Sequence, residues 1–445
     1  MQYVPVSRRD FVRTASAAGL LGALPVLTAG CTGADNPARD TLAKILIVGG
    51  GAAGLAMAAR LRRMLPRATL TVVEPAERHV CQPALTLVAT GHYRTDLITR
   101  KESTLIPSGV QWLRDAMTEI DADHNTASLA KGGRVRYDFL VLAPGVQQNW
   151  TAIQGITPST PGRGNVHSVY DREGADRTWR ALKKLASTGG RALFTDASTP
   201  SACTGAAKSI CLLTEALSRR LNARSRVQAD FLTSARRLCD VPHNAPRLKQ
   251  IFDARGIQTW TGVRLVGVDV RSRKATFENI RTKETFEEEY GVLHFAPPQS
   301  APDFVRASGL GWTEGEFADG AWIKVDPSTL VHLDRPNIVA LGDAAALPTD
   351  KTASAVRRQA PVAAANLCSL IAGRAPSATY DGYAANPVVT DFGHVMRLEA
   401  DYGRRPAPTL PYALMDTSRE LRCAWWEFRH LTQPLYFNLL LRGLA

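Results

Sequence analysis

The sequence predicts an α/β protein with two Rossmann-like domains, and three stretches carry the prediction. Ile45-Leu46-Ile47-Val48 is a short apolar run that leads directly into Gly49-Gly50-Gly51-Ala52-Ala53-Gly54. Leu70-Thr71-Val72-Val73 is a second run, closed by Glu74. Over residues 165–290 a further series begins, with strands at Ala192-Leu193-Phe194 and 227–232 and helices near 172–186 and 205–220. Apolar runs without alternation suit strands buried on both faces of a parallel sheet, which helices then cover.

The first turn has the spacing Gly-x-Gly-x-x-Gly between a strand and a helix expected over 55–64. Gly49 permits the tight turn, Gly51 lets a pyrophosphate approach bare backbone, and Gly54 lets the helix pack closely. The amides near Ala52 and Ala53 then face phosphates at the positive end of that helix. Glu74 ends the next strand, where an acid takes a ribose 2′-hydroxyl, which selects FAD or NAD over NADP.

A chain of 445 residues with 45% hydrophobic content is long enough for two or three domains with sizeable cores. The net charge is +13, but the basic residues are spread along the chain and no nucleic-acid motif accompanies them. Anionic lipid or an anionic substrate is therefore expected rather than nucleic acid. Ser7-Arg8-Arg9-Asp10-Phe11 ahead of a weakly apolar run over 15–29 has the form of a twin-arginine signal, so residues 1–30 are set apart and an exported, periplasmic protein is expected. Thr28-Ala29-Gly30-Cys31 has the form of a lipoprotein box that would leave Cys31 lipidated, with ordinary cleavage nearby as the alternative. Seven cysteines in a chain this long do not make a disulfide framework.

The expected organisation runs from a first dinucleotide-binding part at 44–160, through a second Rossmann-like domain at 161–300, back to the first domain at 301–385, and into a C-terminal region at 386–445. Tyr137-Asp138-Phe139-Leu140-Val141-Leu142 is a strand that ends at Gly145 and closes the first part. After Phe194-Thr195 the turn Asp196-Ala197-Ser198-Thr199-Pro200-Ser201-Ala202-Cys203-Thr204-Gly205 has one glycine and a proline without an amide, so it reads as a degenerate NAD site. Leu293-His294-Phe295 is a further strand, and Asn337-Ile338-Val339-Ala340-Leu341 delivers Gly342-Asp343 ahead of a helix running to 370. Asp343 as a plain cap of that helix fits the same spacing. In the tail, Trp425-Trp426, Phe428 and Tyr436-Phe437 recur with leucines among arginines, as in a helix lying in a membrane interface, with core or dimer contact as the alternative. No metal-binding spacing occurs; His79, His243 and His294 are candidate bases without a distinguishing pattern.

These segments together resemble the sulfide:quinone oxidoreductases of the mitochondrial-like type, within the FAD-dependent pyridine nucleotide-disulfide oxidoreductase superfamily, from about residue 44 to the C-terminus. The resemblance is carried by Val73-Glu74-Pro75-Ala76-Glu77-Arg78-His79, Gln82-Pro83, Ile106-Pro107-Ser108-Gly109-Val110, Thr199-Pro200-Ser201-Ala202-Cys203, Gly342-Asp343 with Leu347-Pro348-Thr349-Asp350-Lys351-Thr352-Ala353, Tyr380-Asp381-Gly382-Tyr383 and Leu441-Arg442-Gly443. It implies a flavin disulfide-reductase-like fold, FAD in the first domain, sulfide oxidised by a cysteine pair on one flavin face, and quinone reduced from a membrane-embedded surface on the other. Carried over by motif, Cys203 is the reactive cysteine and Lys351 stabilises reduced-flavin charge. Gly49, Gly51, Ala52, Ala53, Gly54, Glu74, Gln82, Gly145, Gly342 and Asp343 are cofactor-binding.

One position departs from the family. Its second redox cysteine directly follows the Gly-Asp, where this chain has Ala344, which can neither bridge nor attack a sulfur. Cys211 is about 12 Å from Cys203 along one helix, beyond disulfide reach. Cys81, beside Gln82, is the remaining candidate, with a small buried hydrophobe as its plainer reading. The expectation is an exported, membrane-associated FAD enzyme acting on sulfide or a related sulfur compound at Cys203. An NADH:quinone-type dehydrogenase and a catalytically altered FAD-binding subunit are the alternatives, and a homodimer is left open.

Overall fold

The structure is a computed structural model that describes residues 36–171 and 173–445; the expected signal segment and Cys31 lie outside the described residues. The first unit comprises β1 (Lys44–Val48), α1 (Ala52–Met64), β2 (Thr69–Val73), β3 (Val110–Leu113) and β4 (Phe139–Leu142). The second comprises β5 (Val166–His167), α2 (Gly174–Thr188), β6 (Gly190–Thr195), α3 (Gly205–Arg220), β7 (Val227–Thr233), β8 (Gln258–Thr261) and β9 (Val292–Phe295). The chain then returns through β10 (Ile338–Ala340) and α4 (Ala353–Ile371), and near its end forms α5 (Arg422–His430).

The strands build two five-stranded sheets, ordered β10-β4-β1-β2-β3 and β5-β9-β6-β7-β8. Every pairing in both is parallel, with Ile47 opposite Val72 on one side and Val141 on the other. Ile45, Leu46 and Ile47 are buried on both faces of the sheet, so the run shows no alternation. Each unit carries a small antiparallel sheet, over 117–136 and 263–289. The chain's two crossings between the units run side by side, Gln147–Gln148 against Gln299–Ser300.

Two boundaries correct the sequence reading. Helix α1 starts at Ala52 instead of 55, because the glycine turn supplies its first turn and the Leu55 amide already donates to the Gly51 carbonyl (3.0 Å). The C-terminal region divides: Tyr436, Phe437, Leu440 and Leu441 enter the main core and the hairpin Val388–Asp391 with His394–Met396 packs on α3, while Leu410, Leu414 and Trp426 stay exposed. Aromatic spacing alone cannot tell these two destinations apart. Among the described residues no helix is long and apolar enough to cross a membrane.

Candidate functional site

A cleft of about 1010 Å³ opens at the carboxyl ends of the first sheet and extends to the turn after β6 and to the C-terminal segment. This is where open α/β sheets hold ligands. Gly49 has φ +102°, and a Cβ there would lie 2.2 Å from the Ala143 carbonyl oxygen; at Gly54 it would lie 1.8 Å from that of Gly49. Around Gly51 the same construction meets nothing within 4 Å, so bare backbone faces open space. Ala52 and Ala53 at the start of α1, and Thr352 and Ala353 at the start of α4, line the cleft together. Two positive helix ends therefore converge on it.

Glu74 also lines the cleft, but both its oxygens already hold backbone: Gly50 N–H donates to Oε2 (2.7 Å) and Ala76 N–H to Oε1 (2.8 Å). Those two bonds fix the turn, and each oxygen keeps a lone pair that a ribose hydroxyl could use. Burial pushes its carboxyl up in spite of those two bonds. Gly145 (φ +72°) and Gly342 (φ +76°) are left-handed turns on the opposite wall. The Gly342 amide donates to Gln359 Oε1 (2.8 Å), and a Cβ on Gly342 would meet that of Ala53 at 2.9 Å, so the Gly-Asp turn is seated on α1. Asp343 lines the cleft and does not cap α4; Thr352 does, accepting from the Ala355 amide (3.3 Å). Burial pushes the Asp343 carboxyl up, against the pull of Lys351. Gln82 opens a short turn, Gln82–Ala84, exposed to the cleft.

Cys203 lines the same cleft with φ +53°, a conformation that costs a non-glycine residue on the order of 1–3 kcal/mol unless its surroundings enforce it. Here they do. The Cys203 amide donates to the Lys351 carbonyl (3.1 Å), the Ala202 amide to Gln299 Oε1 (2.8 Å), and the Tyr170 hydroxyl to the carbonyls of Ala202 (2.6 Å) and Cys203 (3.3 Å). Burial, then Asp343 and Asp350, push the Cys203 thiol up to about 12. Lys351 is buried, donates from Nζ to the Ala345 carbonyl (3.1 Å) and lies 4.0 Å from the Trp322 ring centroid. Burial lowers it to about 8, with Asp343 pulling the other way.

Most of the other candidates lie outside the lining, with Cys81 just behind it, within electrostatic reach of the Cys203 thiol. Ala344 is fully buried in the core, its carbonyl accepting from the Ile323 amide (2.9 Å). Cys81 is fully buried and outside the lining, although Val80 and Gln82 on either side reach it; burial raises its thiol. Cys211 lies within α3. His294 is buried in the second sheet opposite His167, and His243 is exposed near Asp416 (3.7 Å), so neither can act as a base in the cleft. His79 does line it, between Glu102 and Tyr436. Sequence reasoning missed Tyr170, Gln299, Trp322, Glu102 and Tyr436; the only signal for any of them was a motif histidine awaiting a partner.

The corresponding turn of the second domain is filled by the chain itself. Asn386 Oδ1 accepts from the Gly205 amide at the start of α3 (3.0 Å), and Ser209 Oγ accepts from the Val389 amide (2.9 Å). Below them the buried Lys208 ammonium pairs with Asp196 (2.9 Å), which also accepts from Thr233 Oγ1 (3.0 Å). A side-chain oxygen thus stands where a phosphate would meet the helix end.

A Gly-rich turn with bare backbone at Gly51, two helix ends and an elongated cleft suits a dinucleotide with a flavin, and the fold and site together define a flavoprotein with two Rossmann-like domains. Residues 43–366 match the family model of the pyridine nucleotide-disulphide oxidoreductases. The mitochondrial sulfide:quinone oxidoreductase of Mus musculus is 33% identical over 423 residues, covering 95% of this chain and 90% of that protein. Its counterpart in Dictyostelium discoideum is 29% identical, covering 94% and 90%. The crystal structure of sulfide:quinone oxidoreductase from Aquifex aeolicus superposes with a TM-score of 0.73 at 20% identity, covering 90% of this chain and 92% of that one. The chain belongs to the sulfide:quinone oxidoreductase family, and it is an FAD-dependent oxidoreductase of that kind.

Proposed function

We propose that the protein oxidises sulfide, or a closely related small sulfur compound, at Cys203 and passes the electrons through FAD to a quinone. The observation that carries this reading is the enforced left-handed turn that holds Cys203 in the same cleft as Asp343, Lys351 and the α1 helix end. FAD, when bound, supplies two-electron transfer between donor and acceptor. Gly49, Gly51, Gly54, Glu74 and the α1 amides at Ala52 and Ala53 would hold its adenosine and pyrophosphate, and Gln82, Gly145, Gly342 and Asp343 the remainder.

The chain's own task is to deliver sulfur as a thiolate, the reactive form. A thiol held near 12 by burial and two carboxylates needs a nearby positive charge to ionise; Lys351 is joined to Cys203 through the backbone, but its ammonium is turned to the Ala345 carbonyl and the Trp322 ring. Its ammonium would oppose negative charge gathering at the reacting end. With Ala344 in the second position, Cys203 has no sulfur partner there; joining its sulfur to that of sulfide releases two electrons and the accompanying protons, and bound FAD would be the two-electron acceptor, whereas a substrate that already holds a sulfur–sulfur bond would be attacked directly with the displaced sulfur leaving as thiolate.

The cleft is apolar at its mouth, where Leu410 and Trp426 line it and Leu414, 82% exposed, lies beside them in sequence. This supports an apolar acceptor arriving from a membrane surface, and the Arg8-Arg9 motif supports export to the periplasm, with lipidation at Cys31 as one means of attachment. The test is anaerobic: sulfide bleaches the flavin of the wild-type protein, and Cys203→Ser, loaded with FAD to the same extent, stays oxidised. Bleaching of Cys203→Ser at the wild-type rate would refute the assignment. Ala344 favours one second reading, a retired FAD-binding subunit, which predicts that no sulfur donor bleaches even the wild type.

A further inference from the structure

Glu102, 1% exposed, lies in the wall of the cleft. Its Oε2 faces His79 Nδ1 at 3.3 Å, whereas its Oε1 is buried without a hydrogen-bond partner. That lone atom would lie 2.8 Å from a Cβ on Gly50, and the Glu74 side chain would lie 2.6 Å from the same Cβ. Gly50, the middle residue of the glycine turn, is therefore what lets two carboxylates approach the turn from one side. Glu74 accepts one backbone amide on each oxygen, while Glu102 Oε1 accepts none. A buried carboxylate oxygen with no donor is costly, so a ligand that fills this part of the cleft must bring a donor to it. Two neighbouring carboxylates repel phosphate and leave a neutral hydroxyl as the matching group.

We propose that Glu102 is a second carboxylate acceptor for the ribose hydroxyls on the adenosine side of the cofactor, and that His79 and Tyr436 position it. His79 Nε2 hydrogen-bonds the Tyr436 hydroxyl at 2.8 Å. With the ring proton on Nδ1, His79 accepts from Tyr436 and donates toward Glu102, which turns Oε1 to the cleft. Tyr436 is buried on the turn Tyr436–Leu440, with Phe437 packed against His79 (ring centroids 6.1 Å) and Arg100 placed over Phe437 (4.9 Å). The last turn of the chain thereby tightens the binding of a cofactor whose glycine motif lies near the other end. His79, which the sequence offered as a base, is in this account a positioning residue.

The test is FAD affinity of the reconstituted apoprotein, read by quenching of flavin fluorescence, with FAD and with FAD analogues that carry 2′-deoxy- or 3′-deoxyadenosine. Glu102→Ala weakens FAD roughly tenfold or more, the effect of losing a hydrogen bond to a charged group. It weakens the analogue that lacks the accepted hydroxyl by less than twofold. Tyr436→Phe keeps the ring, weakens FAD a few-fold, and has no effect in the Glu102→Ala background. If Glu102→Ala does not fold, Tyr436→Phe against the two analogues decides alone. An unchanged FAD affinity, or an equal loss with FAD and both analogues, overturns the proposal. Neither outcome depends on whether sulfide is the substrate.

Discussion

The two Rossmann-like halves share a parallel five-stranded sheet and a strand-turn-helix at its carboxyl edge, but their turns differ among the described residues: bare backbone at Gly51 faces the cleft in the first, and Asn386 meets the helix start in the second. In the first, Gly49 and Gly54 let backbone segments touch where a Cβ would collide, and Gly51 leaves bare backbone facing open space. In the second, the space is taken by Asn386, by the Ser209 to Val389 bond and by the Lys208–Asp196 pair, all supplied by the chain. The second half instead places Cys203, in the turn before its helix, in the lining of the first half's cleft.

The comparison can be broken most severely in the first turn. Gly54→Ala forces a Cβ to 1.8 Å from the Gly49 carbonyl oxygen, which must move the turn or the helix. FAD affinity should fall by at least about a hundredfold, as substitutions that strain backbone cost several kcal/mol; equilibrium titration of the apoprotein checks this.

Acid should separate the halves. Burial holds His294 near 3 and His167 near 4, His294 also lowered by His167, and His167 by Arg177 and Arg180. Both imidazoles are neutral in the folded second sheet, so between about 6.5 and these values the unfolded chain binds more protons. Stability contributed by the pair is complete above 6.5 and lost as pH falls toward 4, on the order of 3 kcal/mol per imidazole. The first sheet has no buried histidine in its strands. Hydrogen exchange at pH 5 should accelerate in β5 and β9 peptides before β1 and β2; equal acceleration would contradict it.

Two smaller changes sharpen the contrast. Lys351→Met removes an ammonium whose burial holds it near 8, and should slow flavin reduction by sulfur donors roughly tenfold while leaving apoprotein stability equal or higher. Stopped-flow rates and thermal midpoints read the two effects separately. Asn386→Ala uncaps α3, should cost about 1 kcal/mol of stability, and should give no reduction of the flavin by NADH. Rapid bleaching by NADH would mean that the second turn is covered and not lost.

The strands and the open first turn were legible because each depends on residues adjacent in the chain. Gly49 announces its left-handed backbone and Gly54 a close approach through residue type, and Pro200 withholds an amide wherever it sits. The left-handed backbone at Cys203 was not legible, because cysteine carries no such preference and the turn is enforced by Tyr170, Gln299 and Lys351 from three distant segments. Glu102 was hidden for the same reason: it is an ordinary acid in Arg100-Lys101-Glu102-Ser103 until Gly50 and His79 enclose it. The tail aromatics divided between core and surface according to which part of the chain met them, and no spacing encodes that.

The most direct measurement is anaerobic double mixing of the FAD-loaded protein, first with sulfide and then with a soluble quinone, following flavin absorbance. Bleaching followed by recovery on addition of quinone is the predicted result, and its loss in Cys203→Ser run alongside would place the sulfur chemistry at Cys203 with alanine at 344. A flavin spectrum that stays oxidised through both mixes would contradict the account.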